Sequence, residues 1–163
     1  MVARARTRRA AAIRRSSTGT HAINSEDSKR IVLAAWDAFR TRDPKEIAAV
    51  FTEDAEWLAP ANNATAVALN GPSHMVCPEQ IARLLGTEIW KLFAANVSVN
   101  FKGVHADGNV VVIEQRMRAT LANGNAYDND YCFVIEVADG RIRRVREYMD
   151  TARGNRMVFG AAV

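Results

Sequence analysis

Apolar and polar residues recur along this chain with two different periods, and the change from one to the other divides it. Beyond Ser25, the residues Ile31, Val32, Ala35, Trp36 and Phe39 return every three to four positions and form one face of a helix. Ser25 stands where an N-cap belongs, and Glu26 and Asp27 follow in the first turn, where negative charge complements the helix dipole. Asp43-Pro44-Lys45-Glu46 repeats the signal as cap, first-turn proline and capping-box acid, opening a second short helix that buries Ile47, Val50 and Phe51. A short strand over 55–59 breaks at Pro60. The segment that runs on to Cys77 is rich in Asn, Ala and Gly, and its length makes it a candidate lid. Pro78 opens a third helix, expected to be the longest, in which Ile81, Leu84, Leu85, Ile89, Leu92 and Phe93 keep helical spacing to about residue 95.

From Val97 the period becomes two. Four strand-like runs, 97–105, 110–121, 125–137 and 141–150, are separated by Asp107-Gly108-Asn109, Asn123-Gly124 and Asp139-Gly140, all hairpin signals. Consecutive hairpin-linked strands make an antiparallel sheet, so the expected fold is α+β: three N-terminal helices packed on one face of a curved antiparallel sheet. Residues after Thr151, among them Arg153, Arg156, Met157 and Phe159, either close one end of the domain or stay loose. The expected organisation is a basic tail over 1–24, one domain over 25–155 and a C-terminal tail over 156–163.

Composition changes this picture in one respect. The 163 residues are 48% apolar, enough for one core, and the net charge is +4. That charge is concentrated at the N-terminus: residues 1–24 hold six arginines and no acid, leaving 16 basic against 18 acidic residues elsewhere. A phosphate-binding surface and a nucleic-acid partner are therefore not expected. Arg141, Arg143, Arg144 and Arg146 alternate faces on the last strand, which also argues against a nucleic-acid patch. The first 24 residues have too few large apolar side chains to offset the entropy of ordering, which makes a flexible tail the first reading; the same composition resembles a transit peptide. No run approaches the roughly 20 apolar residues of a membrane span, so a cytoplasmic protein without a membrane partner is expected. Cys77 and Cys132, and His21, His74 and His105, are scattered. Neither a disulfide nor a metal site is expected, and without a glycine-rich nucleotide loop no cofactor is. His74, in the loop, could approach a pocket mouth as a base, but a lone loop histidine is more often solvated.

Two segments carry a resemblance. Val50-Phe51-Thr52-Glu53-Asp54-Ala55-Glu56-Trp57, and Asp139-Gly140-Arg141-Ile142 leading into Val145-Arg146-Glu147-Tyr148-Met149-Asp150-Thr151, together with the order of elements, resemble the SnoaL-like or nuclear transport factor 2-like superfamily over about 25–155. The resemblance implies a cystatin-like α+β cone with an internal pocket. The superfamily includes steroid isomerases, polyketide cyclases, epoxide hydrolases, dehydratases and binding modules, so the fold does not decide the chemistry. Ketosteroid isomerases carry a catalytic Asp and Tyr at positions that fall here on Ala59 and Ala35, which cannot move a proton. The resemblance thus argues against the standard ketosteroid isomerase mechanism. In epoxide hydrolases similar to limonene epoxide hydrolase an Asp-Arg-Asp trio acts; the matching positions hold Glu114, Arg116 and Glu147, and the water-holding Tyr and Asn match Trp57 and Ala59.

Strand alternation groups the same residues. Val112, Glu114, Arg116 and Arg118 share one face of their strand, Tyr127, Asn129, Tyr131 and Phe133 one face of the next, and Val145, Glu147 and Met149 one face of the last. Two readings of the first group compete. The opposite face, Val111, Ile113, Met117, Ala119 and Leu121, is the more apolar and by alternation belongs against the helices, whereas the family register turns Glu114 and Arg116 inward. The inward reading is the one taken forward. It makes Glu147, Arg116, Glu114 and Tyr131 the candidate catalytic set, with Trp36, Phe39, Trp57, Tyr127, Asn129, Phe133 and Met149 lining a site for a small apolar or aromatic ligand. Glu147 would abstract a proton, Arg116 would orient it or a developing anion, and a tyrosine would donate to an oxygen. The expected function is a cofactor-independent lyase, isomerase or hydrolase acting on an apolar, oxygen-bearing substrate. The alternative is a non-catalytic ligand-binding or dimerisation module of the same fold, and in either case a homodimer through the sheet is expected.

Overall fold

Asn24, one residue ahead of the expected cap, closes the first helix of the computed structural model, which describes residues 24–160. The expected basic tail and the last three residues lie outside that range. The Asn24 side chain accepts from the Asp27 amide, while the Ser25 hydroxyl accepts from the Gly108 amide and the Ser28 hydroxyl donates to the Gly108 carbonyl. The two serines thus tie α1 (Ser25–Thr41) to a distant hairpin turn, leaving the capping role to Asn24. Asp43 and Pro44 start α2 (Pro44–Ala49) as expected, with Asp43 accepting from the Lys45 amide.

The expected single helix over 78–95 is broken. α4 (Pro78–Gly86) stops at Gly86, a 3-10 turn follows over Glu88–Lys91, and Phe93 already belongs to a strand, so among the described residues α1 is the longest helix. Glycine is a weak helix former, and at this position no side chain fits: a side-chain carbon on Gly86 would come within 3.0 Å of the Arg42 carbonyl oxygen and 3.1 Å of Pro44. The long segment after Pro60 also has structure of its own. Asn63 caps α3 (Ala64–Ala68), and β2 (His74–Met75) pairs with β1 (Phe51–Leu58).

β3 (Phe93–Asp107), β4 (Val110–Leu121), β5 (Ala126–Ala138) and β6 (Arg141–Met149) form the expected antiparallel meander. β1, which begins four residues earlier than expected, joins it parallel to β6, pairing Trp57 with Val145. The whole sheet is therefore mixed, in the order β2-β1-β6-β5-β4-β3. The expected C-terminal tail is in part helical: Asp150 caps α5 (Thr151–Phe159), which packs on α3 and β5. Among the described residues no helix is long and apolar enough to cross a membrane.

The β4–β5 register determines what the core contains. Val111 faces Ile135, Ile113 faces Phe133 and Gln115 faces Tyr131, all of them buried; Glu114, Arg116 and Arg118 fall on the other face. Energy decides between the two faces. Burying Ile113 or Leu121 gains about 1.5–3 kcal/mol each, whereas an unpaired ionised side chain put in their place would cost several kcal/mol. A one-residue slip would exchange the faces throughout, so the register is strongly specified. Ile113→Ala should accordingly lower stability by about 2–5 kcal/mol in urea unfolding. Glu114→Ala, next to it but on the exposed face, should change stability by no more than about 0.5 kcal/mol.

Candidate functional site

Between the helices and the inner face of the sheet lies a cavity of about 810 Å³, within the size range of small-molecule sites. Its wall is mainly apolar and aromatic. Trp36 and Phe39 come from α1, Trp57 from β1, and Tyr131 and Phe133 from β5, with Leu84 and Leu85 of α4 closing another side. Phe133 is the hub of this cluster, with ring centroids 5.5 Å from Trp36, 5.8 Å from Trp57 and 5.8 Å from Tyr131. Asn63, Ala66, Leu69 and Met75 bring the expected lid segment into the same wall.

Glu147 is the one carboxyl that enters the cavity from the sheet. It stands opposite Phe133 on β6, and the buried Trp57 indole N–H donates to its Oε2 at 2.7 Å. The side chain borders the cavity and so keeps some accessible surface, but its carboxyl is surrounded by protein rather than bulk water. Desolvation lifts its pKa to about 7, against a smaller lowering by the Trp57 hydrogen bond. Among the described residues no guanidinium contributes to its charge balance.

The remaining polar groups of the interior are neutral. The Tyr127 and Tyr131 hydroxyls lie 2.5 Å apart, and the Asn129 amide donates to Tyr127 Oη at 3.3 Å and to the Asp150 carbonyl at 3.0 Å. Burial raises both phenol pKa values, that of Tyr131 furthest, so these groups act as hydrogen-bond partners rather than bases. Gln115 is buried beside Tyr131. Its Oε1 accepts from the Trp36 indole N–H at 3.0 Å, which leaves its amide N–H groups for the cavity.

Of the residues expected from the sequence, Glu147, Tyr131, Trp36, Phe39, Trp57 and Phe133 meet around this space. Tyr127 and Asn129 are buried behind Tyr131 as its support, and Met149 packs against the core outside the cavity wall. Glu114 and Arg116 do not join them. Glu114 is exposed, and Arg116 binds Asp128 with Nε at 2.6 Å from Oδ1 and a terminal nitrogen at 2.7 Å from Oδ2. This guanidinium holds the Asp128 carboxyl down at about 2. The expected Glu114–Arg116–Glu147 trio is thus split by the sheet, because β4 buries its apolar face. Gln115 escaped notice although it is the lone polar residue in the alternation Val111, Ile113, Met117, Ala119, the signal that could have marked it. His74 sits on the exposed side of β2, with its ring Nε2 3.0 Å from Glu56.

The model of the SnoaL-like domain family matches residues 32–145. The chain belongs to that family. Solved structures agree in fold. An NTF2-like protein from Burkholderia pseudomallei K96243 superposes with a TM-score of 0.71 at 17% identity, covering 82% of this chain and 98% of that one. An epoxide hydrolase from M. tuberculosis, of the LEH-like type, gives 0.64 at 21% identity, with 82% and 90% covered. TerC, co-crystallised with polyporic acid, gives 0.68 at 19% identity, with 81% and 98% covered. No curated protein matches the chain. At these identities the similarity establishes the SnoaL-like fold and not an activity.

The raised pKa of Glu147 is also a statement about stability. An unfolded chain ionises this carboxyl near its ordinary value, the folded one only near 7. The folded state therefore binds more protons between those limits, and stability falls as pH rises through the window. Glu147→Gln, which keeps an acceptor for Trp57, should be more stable than the parent at pH 8 by up to about 3 kcal/mol. The difference should vanish near pH 4, as measured by urea unfolding at both pH values.

Proposed function

We propose that this SnoaL-like protein catalyses cofactor-independent proton transfer on an apolar, oxygen-bearing small molecule, with Glu147 as the acid-base group. The observation that carries this reading is a buried carboxyl, desolvated to a pKa of about 7, facing a cavity large enough for a substrate. At neutral pH such a group is divided between carboxylate and acid. It can take a proton from carbon and return it elsewhere, the requirement of an isomerase or a lyase. Trp57 aims the carboxyl, and the free amide N–H groups of Gln115 together with the Tyr131 hydroxyl are placed to donate to an oxygen on which charge develops.

The epoxide-hydrolase trio lends no support to a hydrolase reading here. Activating water in the manner of the epoxide hydrolases requires an arginine and a second carboxyl beside the first, and Arg116 and Glu114 are on the far side of the sheet. The proton-transfer reading also differs from a steroid isomerase of the standard type, since the base comes from β6 and the end of the first strand offers only Ala59.

A substrate need not be known to test the base. In 5-nitrobenzisoxazole, removal of the proton at C3 breaks the N–O bond and gives a nitrile and a coloured phenolate. A desolvated carboxylate should accelerate this reaction with a kcat/KM that rises with pH and is half-maximal at about 7. Glu147→Gln should lower the rate by about 100-fold or more. Glu114→Gln and Arg116→Gln should remain within about twofold of the parent, consistent with groups that never touch the substrate. An elimination rate that is independent of pH, or unchanged in Glu147→Gln, would remove Glu147 from the mechanism.

A further inference from the structure

Two arginines border the cavity at the end of α1, and the interior chemistry does not use them. Arg40 and Arg42 line its wall alongside Ile89, Trp90 and Leu84, and both are exposed, which places them at the mouth. Arg42 is held there from two sides. Its backbone adopts the left-handed conformation (φ 59°, ψ 12°) as the cap of α1, with its amide donating to the Phe39 carbonyl. Its carbonyl oxygen is the atom that a side chain on Gly86 would meet first, so α4 packs closely against it.

A left-handed backbone at a helix C-cap is ordinarily given to glycine or asparagine, because a β-carbon there costs about 1–2 kcal/mol. An arginine kept in that position invites a reason. Its guanidinium carbon lies 3.6 Å from the centroid of the Trp90 ring, a cation–π contact that pins the flat group against the cavity wall. Stacking engages the face of the guanidinium and leaves the N–H groups on its edge free. Among the described residues no carboxylate pairs with Arg42, and the only acid on Arg40 is Asp37, at 3.5 Å with both side chains largely exposed. Favourable placement of positive charge at a helix C-terminus is worth about 0.3–1 kcal/mol and accounts for the sign of these residues, but not for stacking against the cavity wall.

We propose that Arg42, assisted by Arg40, is an anion-binding subsite at the mouth of the cavity, and that the ligand is an apolar, aromatic-sized molecule bearing one carboxylate or similar monoanionic group. The ligand enters with its apolar body among Trp36, Trp57 and Phe133 and leaves its charge at the rim. The reverse orientation would bring two carboxylates together at Glu147, where no cation compensates them. The planar fork of a guanidinium suits bidentate binding of such a group. This inference rests on the cavity being the ligand site and adds to it the class of ligand.

Two dyes with the same apolar body separate charge from shape: N-phenyl-1-naphthylamine is neutral, and 8-anilinonaphthalene-1-sulfonate adds one anionic group. Fluorescence titration of the full chain at low salt should give a Kd for the sulfonate about tenfold below that of the neutral dye, with the preference shrinking in 0.5 M NaCl. Arg42→Gly together with Arg40→Gln should bring the two dissociation constants to within about twofold of each other; glycine suits the left-handed backbone and so preserves the fold. Arg118→Gln removes one charge from the outer face and should leave the preference intact. Equal affinity in the parent, a preference that survives in the double variant, or one that Arg118→Gln abolishes as well would each overturn the subsite. If the neutral dye still binds in those cases, Glu147-dependent elimination of 5-nitrobenzisoxazole remains and only the rim assignment falls. A neutral dye that fails to bind at all overturns the subsite and the ligand cavity together.

Discussion

Cross-strand pairing between β4 and β5 sets Val111 against Ile135, Ile113 against Phe133 and Gln115 against Tyr131, and nearly every other property of the site follows from that ladder. With the apolar side of β4 turned inward, every charged residue of that strand goes to the outer surface. The inner face of the meander then contributes a single ionisable carboxyl to the cavity, Glu147 of β6. Because no cation accompanies it inward, burial alone dominates its ionisation. Had Arg116 shared the space, its field would have held the carboxyl ionised well below neutrality, as it now does for Asp128.

Charge is sorted by surface in this domain. The outer face of the sheet carries matched pairs: Arg116 with Asp128, Lys102 with Asp130, Arg144 with Glu56, and Arg146 with Glu136. Partly exposed pairs of this kind contribute little stability each, but they keep both signs where water can reach them. Indoles, phenols and amides fill the interior, where each can be satisfied by a hydrogen bond without carrying charge, as the Trp36–Gln115 and Asn129–Tyr127–Tyr131 contacts illustrate. The mouth is the third zone, with guanidinium groups beside aromatic surface. An amphiphilic ligand would meet these zones in order.

Membership of the SnoaL-like family does not by itself choose a reaction, and the present structure indicates why. The cone supplies a largely apolar cavity, while the chemistry depends on which inward positions hold titratable groups. In this chain the end of the first strand holds Ala59 and the inward positions of β4 hold Val111, Ile113, Gln115 and Met117, so the acid-base work is left to β6. A change of one residue at an inward position would alter the mechanism without disturbing the fold.

Much of this was legible in the sequence. Period-two alternation identified the four meander strands and their turns, placed Tyr131 and Phe133 of β5 and Glu147 of β6 on inward faces, and pointed to the aromatic cluster, because alternation within a strand is a local property of the backbone. It also contained the correct orientation of β4, in the apolar run from Val111 to Leu121, and the family register set against that run misdirected Glu114 and Arg116. Other features were decided only by tertiary contact. Residue 86 has room only for glycine because the chain from Arg42 to Pro44 passes too close for a side chain, β1 lies parallel to β6 because a distant segment returns to that edge, and Arg42 at the end of α1 stacks on Trp90 of the 3-10 turn. The acidity of Glu147 belongs to the same group: a carboxyl's pKa depends on how much water its neighbours remove, and those neighbours come from α1, β1 and β5, far from it in the chain.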